Sequence, residues 1–284
     1  MEFDFSEFFT KYEAIAAEAD AAFNRVKQDH PDAVTCGQGC SDCCYALFDL
    51  TLIEALYLKD KFSEKLDPPT RSAVMERADE AERENYKLKR KVFKASQEGK
   101  AAMEILAEVA KMRIRCPLLD NEDNCELYEH RPITCRLYGI PMAMSGESHI
   151  CGETAFEPGK QYPTANMDGF QEKLLALSQE LVASLNTRHV RLVEVLVPVA
   201  MALMNDYDRE YFGLVDGGKA TPGQEFIEAR QRMAEQAPVT DQDQGATWTL
   251  GTDGSVTREA SPCASCASSG SCDQEGDGDC DGPS

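Results

Sequence analysis

The sequence predicts a mainly α-helical protein: a helical bundle within residues 1–236, a loop-rich cysteine cluster at one end of it, and a disordered acidic C-terminal tail over residues 237–284. Three observations predict this. Apolar residues recur at helical spacing through most of the first 236 residues, without a convincing run of alternating apolar and polar residues to mark strands. Eight cysteines fall in two groups between the helical stretches. From about Ala237 the composition turns to Gly, Ser, Asp and Ala, a mixture that cannot bury a core.

The elements follow in order. Residues 4–29, DFSEFFTKYEAIAAEADAAFNRVKQD, set Phe5, Phe8, Phe9, Tyr12, Ile15, Ala16, Ala19, Phe23 and Val26 on one stripe. His30-Pro31 stops that helix, because the residue before proline avoids the α region. The first cysteine group follows in a Gly-rich loop. LTLIEALYLKDKFSEKL, from Leu50, reads as a second helix ended by Asp67-Pro68-Pro69. A long polar helical stretch runs from about Thr70 to Arg113, and Gly99 breaks it in two. Its charges read as a solvated face. The second cysteine region, Cys116 to Cys151, is loop-rich, with short helical turns expected in CELYEH and PITCRLY. NMDGFQEKLLALSQELVASLNTRH and VRLVEVLVPVAMALMND, the latter from Val190, read as two further helices, and TPGQEFIEARQRMAEQ, from Thr221, as a last one. In the tail, ATWTLGTDGSVTRE has the makings of a small hairpin, but the segment as a whole is expected to lack order.

Composition excludes several function classes. A chain of 284 residues with 42% apolar content buries a core without disulfides. Its net charge of -21 argues against nucleic acid and against anionic membrane surfaces as partners. The acidic start MEFDFSEFF lacks the basic and apolar regions of a signal peptide, and the Val190 stretch contains Arg191, Glu194 and Pro198, too polar to span a bilayer. A cytoplasmic location is expected, where clustered thiols point to metal or catalysis more than to stable disulfides.

Cys36, Cys40, Cys43 and Cys44 form the pattern C-x3-C-x2-C-C, with Gly37 and Gly39 letting the backbone fold tightly between the first two. Cys116, Cys125, Cys135 and Cys151 form the second set, separated by eight, nine and fifteen residues. Four plus four thiols suit thiolate coordination of zinc, of iron, or of an iron–sulfur cluster. The adjacent pair Cys43-Cys44 suggests that one of them points away from any single metal. Arg131 and Arg136 flank Cys135; they either offset thiolate charge or are ordinary surface arginines. His149, two residues before Cys151, is a substitute ligand candidate, whereas His130 reads as a surface residue. Cys263, Cys266, Cys272 and Cys280 lie in the tail, where nine acids face the single base Arg258; they read as incidental thiols or as a metal-scavenging segment.

CGQGCSDCC followed by RCPLLDNEDNCELYEHRPITCRLYG resembles the YkgJ-type cysteine-cluster family, the CxxCxxCC domain. The resemblance spans residues 36–151 and matches Cys36, Cys40, Cys43 and Cys44, then Cys116, Cys125, Arg131, Pro132, Cys135 and Arg136, with Cys151 as the later cysteine. It implies a zinc- or iron-chelating domain and no settled reaction.

Two functions compete. The first is a metal-binding protein in which zinc or iron has a structural or metal-handling role. The second is an iron–sulfur enzyme acting on a peptide or protein, similar to the flagellin lysine N-methylases, since Cys36, Cys40 and Cys43 have the spacing of radical S-adenosylmethionine enzymes. Asp42, standing where those enzymes carry an aromatic residue, argues against it, as does the lack of repeated β/α units. A cysteine-based redox sensor ranks third, because vicinal cysteines bridge only through a strained ring. The sequence holds no G-x-S-x-G, P-loop, G-x-G-x-x-G or H-E-x-x-H motif; it implies a metal ion as partner without naming which, and it names no protein partner. About seventy residues separate Cys44 from Cys116; as helices running out and back, they can return the chain so that both groups converge on one centre or on two close together.

Overall fold

The structure, a computed structural model, describes residues 3–37, 39–109, 112–157, 159–189, 191–215, 247–250 and 256–259. The protein is mainly α, 55% helical, with seven α-helices among the described residues. The first, α1 (Ser6–Asp29), buries Phe9, Tyr12, Ala16, Ala19 and Val26, which is the stripe read from the sequence. Helix α2 (Leu52–Lys65) is the most enclosed: Leu52 to Leu58 are buried without interruption. Thr51 and Glu54 close its start as a capping box. It packs against α1, against α6 (Met167–Ser184) and against α7 (Val199–Met204).

Asp67 caps α3 (Pro68–Gln97), its side chain accepting from the Thr70 N–H, with the prolines in the first turn where a missing N–H costs nothing. Helix α3 ends at Gly99, whose φ of 81° is the left-handed conformation that halts a helix, and α4 (Ala102–Val109) follows. Helix α5 (Ile133–Leu137) is the expected turn in PITCRLY.

Strands are present but short. β1 (Asp49–Leu50) pairs antiparallel with β5 (Val197–Pro198). β2 (Met142–Met144) lies between β3 (Glu147–His149), antiparallel, and β4 (Ala165–Asn166), parallel. Ser145 and Gly146, both at positive φ, form the two-residue hairpin loop that turns β2 into β3.

The stretch from Val190 departs from the expected single helix. It divides into a 3₁₀ turn (Leu192–Glu194), β5, and α7, which starts after Pro198. Pro198 lacks the N–H a continuous helix needs, so Val197 joins Leu50 in a ladder instead. The ATWTLGTDGSVTRE segment does contain an antiparallel pair, β6 (Thr247–Leu250) with β7 (Val256–Glu259). The helix expected from Thr221 lies outside the described residues, as do the tail cysteines. No helix among the described residues is long and apolar enough to cross a membrane.

Candidate metal centre

The first cysteine group is held by its backbone. After α1 the chain is tied to the Cys151 loop, with the Thr35 hydroxyl donating to the Glu153 carbonyl at 2.6 Å and the Ala155 N–H to the Ala33 carbonyl at 3.0 Å. Gly39, at φ 85°, turns the chain so that the Cys40 N–H meets the Gly37 carbonyl. Cys43 and Cys44 then sit in a 3₁₀ turn, Asp42–Tyr45. Cys36 leans against Gly139: a Cβ on that glycine would fall 2.4 Å from the Cys36 Cβ and 3.0 Å from its Sγ, so only glycine lets the two segments meet.

The second group is anchored from α3 and α2. Arg77 donates to the Pro117 carbonyl at 2.8 Å and pairs with Glu126 at 3.3 Å, clamping the loop that carries Cys116 and Cys125. The expected turn in DNEDN forms around Asp120, whose carboxylate accepts from the Glu122 and Asn124 N–H groups, each at 2.8 Å. Cys135 lies on α5, and the buried Glu54 of α2 accepts from the Ile133 N–H at 3.1 Å, fixing the start of that helix.

The two groups meet. The Cys116 N–H donates to the Cys44 carbonyl at 2.6 Å, and the thiols of Cys43, Cys44 and Cys135 face the same cavity. Cys36, Cys40, Cys43, Cys44, Cys116, Cys125 and Cys135 line one cavity of about 700 Å³. Cys151 stands beside them, its Sγ 3.3 Å from the Asp42 carboxylate. Cys43 and Cys44, adjacent in the 3₁₀ turn, both line the cavity. All eight are free thiols and partly buried.

Their protonation is uneven. Hydrogen bonds from Cys135 and Cys44 hold the Cys43 thiol well below the usual thiol range, and the same bonds push its two donors up. Burial raises Cys116 to about 12 and Cys125 to about 11, and burial followed by the Asp42 carboxylate raises Cys151 to about 11. Burial and the charges of Cys40 and Cys43 raise Cys36. Asp42 is lowered despite burial, by hydrogen bonds from Arg113, Cys151 and Tyr138.

Of the two arginines, Arg131 fits the first reading and Arg136 fits neither. Arg131 lines the cavity and favours the thiolate forms of Cys36, Cys43 and Cys125. Arg136 is neither exposed nor turned to the thiols. It is 8% exposed, pairs with Asp20 of α1 at 2.6 Å and donates to the Arg131 and Glu129 carbonyls. His130 is likewise no plain surface residue, since its Nδ1 lies 3.0 Å from the Tyr57 hydroxyl, which also donates to Glu13. His149 is exposed on β3 and is not among the cavity residues.

The thiols are neighbours rather than a finished shell: among the described residues no three or more His, Cys, Asp or Glu are grouped as they stand so as to hold a metal ion. As a donor set they fit zinc or iron. Soft thiolates select those metals, and a cation displacing protons from crowded, partly buried thiols relieves the unfavourable charge that keeps them protonated.

Residues 35–152 match the CxxCxxCC family model. That family is described as "putative zinc- or iron-chelating domain". The match covers both cysteine groups, under half of the chain, and supports a metal-binding cysteine-cluster protein. The CxxCxxCC domain stops short of α6 and α7, although Val199 and Ala200 of α7 help to wall the cavity over its thiols. No curated protein and no solved structure matches the chain.

Sequence reasoning missed Glu54, Gly139 and Arg77. The T-x-x-E spacing of Thr51 and Glu54, a capping box ahead of an apolar run, was a readable signal for the first. The other two act through contacts distant in sequence, for which local pattern gives no sign.

Proposed function

We propose that this centre binds zinc or iron through Cys36, Cys40, Cys43, Cys44, Cys116, Cys125, Cys135 and Cys151. The metal would fasten the cysteine loops to one end of the helical bundle within residues 1–236 of a cytoplasmic protein, with 237–284 a separate acidic tail. The observation that carries the proposal is the meeting of two thiol groups about seventy residues apart in sequence, through the Cys116–Cys44 backbone bond and the one cavity that seven of the eight cysteines line. A bound metal supplies the positive charge such a set needs and a crosslink between the loops. Arg131 supplements that charge, while Glu54, Arg77 and Gly139 keep the donors in reach. The test is elemental analysis and an absorption spectrum of anaerobically purified protein: zinc or iron in stoichiometric amount supports the proposal, and trace metal rejects it.

A second reading is an iron–sulfur enzyme acting on a peptide or protein. It is favoured by the cavity, because a purely structural site is normally closed, whereas these thiols face open volume. An intense brown chromophore supports that reading, and a colourless zinc protein opposes it.

A further inference from the structure

The cavity and the surface beside it form a second feature that metal binding does not use. Its volume of about 700 Å³ lies within the roughly 300–1,000 Å³ of ligand pockets. Leu88 and Val92 of α3, Ile105 and Val109 of α4, and Leu47 give it apolar walls above the thiols. At its rim α3 carries Phe93 and, two turns earlier on the same side of the helix, Tyr86, exposed by 66% and 59%. Lys89 and Arg90 lie between them, exposed, with the Arg90 guanidinium 6.0 Å over the Tyr86 ring. Lys89 and Phe93 also line the cavity, so ridge and cavity are continuous.

The charge there is unusual for this chain. Fifty acids outnumber 29 bases overall, yet Lys87 to Lys94 holds five bases and no acid. Ion pairs on α3 engage Arg77, Arg83 and Lys94, and Lys89 feels Asp49 across the cavity mouth. A run of bases flanked by two aromatic rings suits an anionic partner. A concave apolar cavity accepts a side chain, which a polypeptide offers and a membrane surface does not. A long polyanion such as nucleic acid would meet the remaining net negative charge of the chain, whereas a short acidic segment meets only the ridge.

We propose that the Tyr86–Phe93 ridge and the adjoining cavity dock an acidic polypeptide segment, with one apolar side chain of that segment seated in the cavity above the cysteines. Docking uses α3 and α4 and does not require metal. Only the side chain's resting place against the thiols depends on the metal-centre reading.

The probe is a fluorescein-labelled nonapeptide of alternating aspartate and glutamate with one central leucine, titrated by anisotropy into the full chain, both as purified and after chelation. Saturable binding with Kd on the order of 10 µM is expected. Replacing the peptide's leucine by serine is expected to weaken it roughly tenfold, because one apolar side chain is no longer buried. The double variant Lys89→Glu/Arg90→Glu is expected to weaken it by at least about tenfold with metal content unchanged. Val92→Trp, which occludes the apolar wall beside the ridge while leaving the ridge charge intact, is expected to remove the leucine preference. The proposal is overturned by an absence of saturable binding in both states, by equal affinity for the serine peptide, by indifference to charge reversal, or by tighter binding of a single-stranded DNA or of phosphatidylserine vesicles. A protein that carries only trace metal as purified and yet binds the peptide would sink the metal reading and leave the docking site standing; a metal-loaded protein blind to the peptide would do the reverse.

Discussion

Two faces of the short helix α5 separate two kinds of region. Toward α1 and α2 it presents Ile133, Arg136 and Leu137, all buried, and the polar groups there are committed: Glu54 accepts from Ile133, and Asp20 holds Arg136. Toward the cavity it presents Cys135, among the other thiols that line it. The first face is complete as it stands. The second gathers donors whose charged form is disfavoured by burial and by neighbours, which is the condition a thiophilic cation relieves. Folding of the helices and closure of the cysteine loops are therefore separable, and α5 is the joint between them.

The widest gap between the faces should come from removing the thiol at the centre. Cys43→Ser is expected to reduce metal from stoichiometric to trace and to speed amide exchange across residues 112–137, with α1, α2 and α6 unchanged. Cys151→Ser, at the edge, should retain more metal. Equal losses, measured by elemental analysis, would mean the centre is not organised around Cys43.

Glu54→Ala attacks the complete face. It leaves the buried Thr51 and Ile133 N–H groups without their acceptor, and the expected cost is about 3 kcal/mol in chemical denaturation. Because Ile133 starts the helix carrying Cys135, metal affinity should fall as well. An unchanged affinity would show that the two faces are less coupled than α5 suggests.

Gly139→Ala forces a methyl group to within 2.4 Å of the Cys36 Cβ, for an expected loss of about 1–3 kcal/mol in the same assay. Its signature is displacement of Cys36, read as faster alkylation of that thiol with the α2 core intact.

The smallest effect is a pH dependence. Burial, then the charges of Lys61 and Lys65 on α2 and Arg136 on α5, depress His130 below its ordinary 6.5, with Glu13 of α1 opposing and Tyr57 as hydrogen-bond partner. The fold therefore favours the neutral ring. That contribution is fully present above pH 6.5 and is lost as pH falls through the depressed folded value. His130→Phe should flatten this part of the stability profile without changing metal content at neutral pH.

The helices were legible because their signals are local: the Phe5–Val26 stripe, the Asp67-Pro68-Pro69 stop and Gly99 each act within a few residues. The eight cysteines were legible as a set because thiols at such spacing have few other uses in a chain with this much core. What the sequence hid is set by tertiary contact. Arg136 and Arg131 look alike on either side of Cys135, yet Arg136 rides on α5 and reaches Asp20, whereas Arg131 precedes Pro132, outside that helix, and faces the cavity. Pro198 was visible, but that it would place Val197 beside Leu50 depends on a strand 147 residues earlier in the chain. The cavity was invisible for the same reason, being walled by α3, α4 and α7 together.

The central claim is that one face of the molecule is completed by metal. The most direct test is native mass spectrometry of anaerobically purified protein before and after chelation, paired with thermal unfolding. The account predicts zinc or iron bound stoichiometrically to the intact chain, and a lower Tm with loosened cysteine loops once it is removed. A chain that carries no metal, or whose Tm and loop protection are indifferent to its removal, would contradict it.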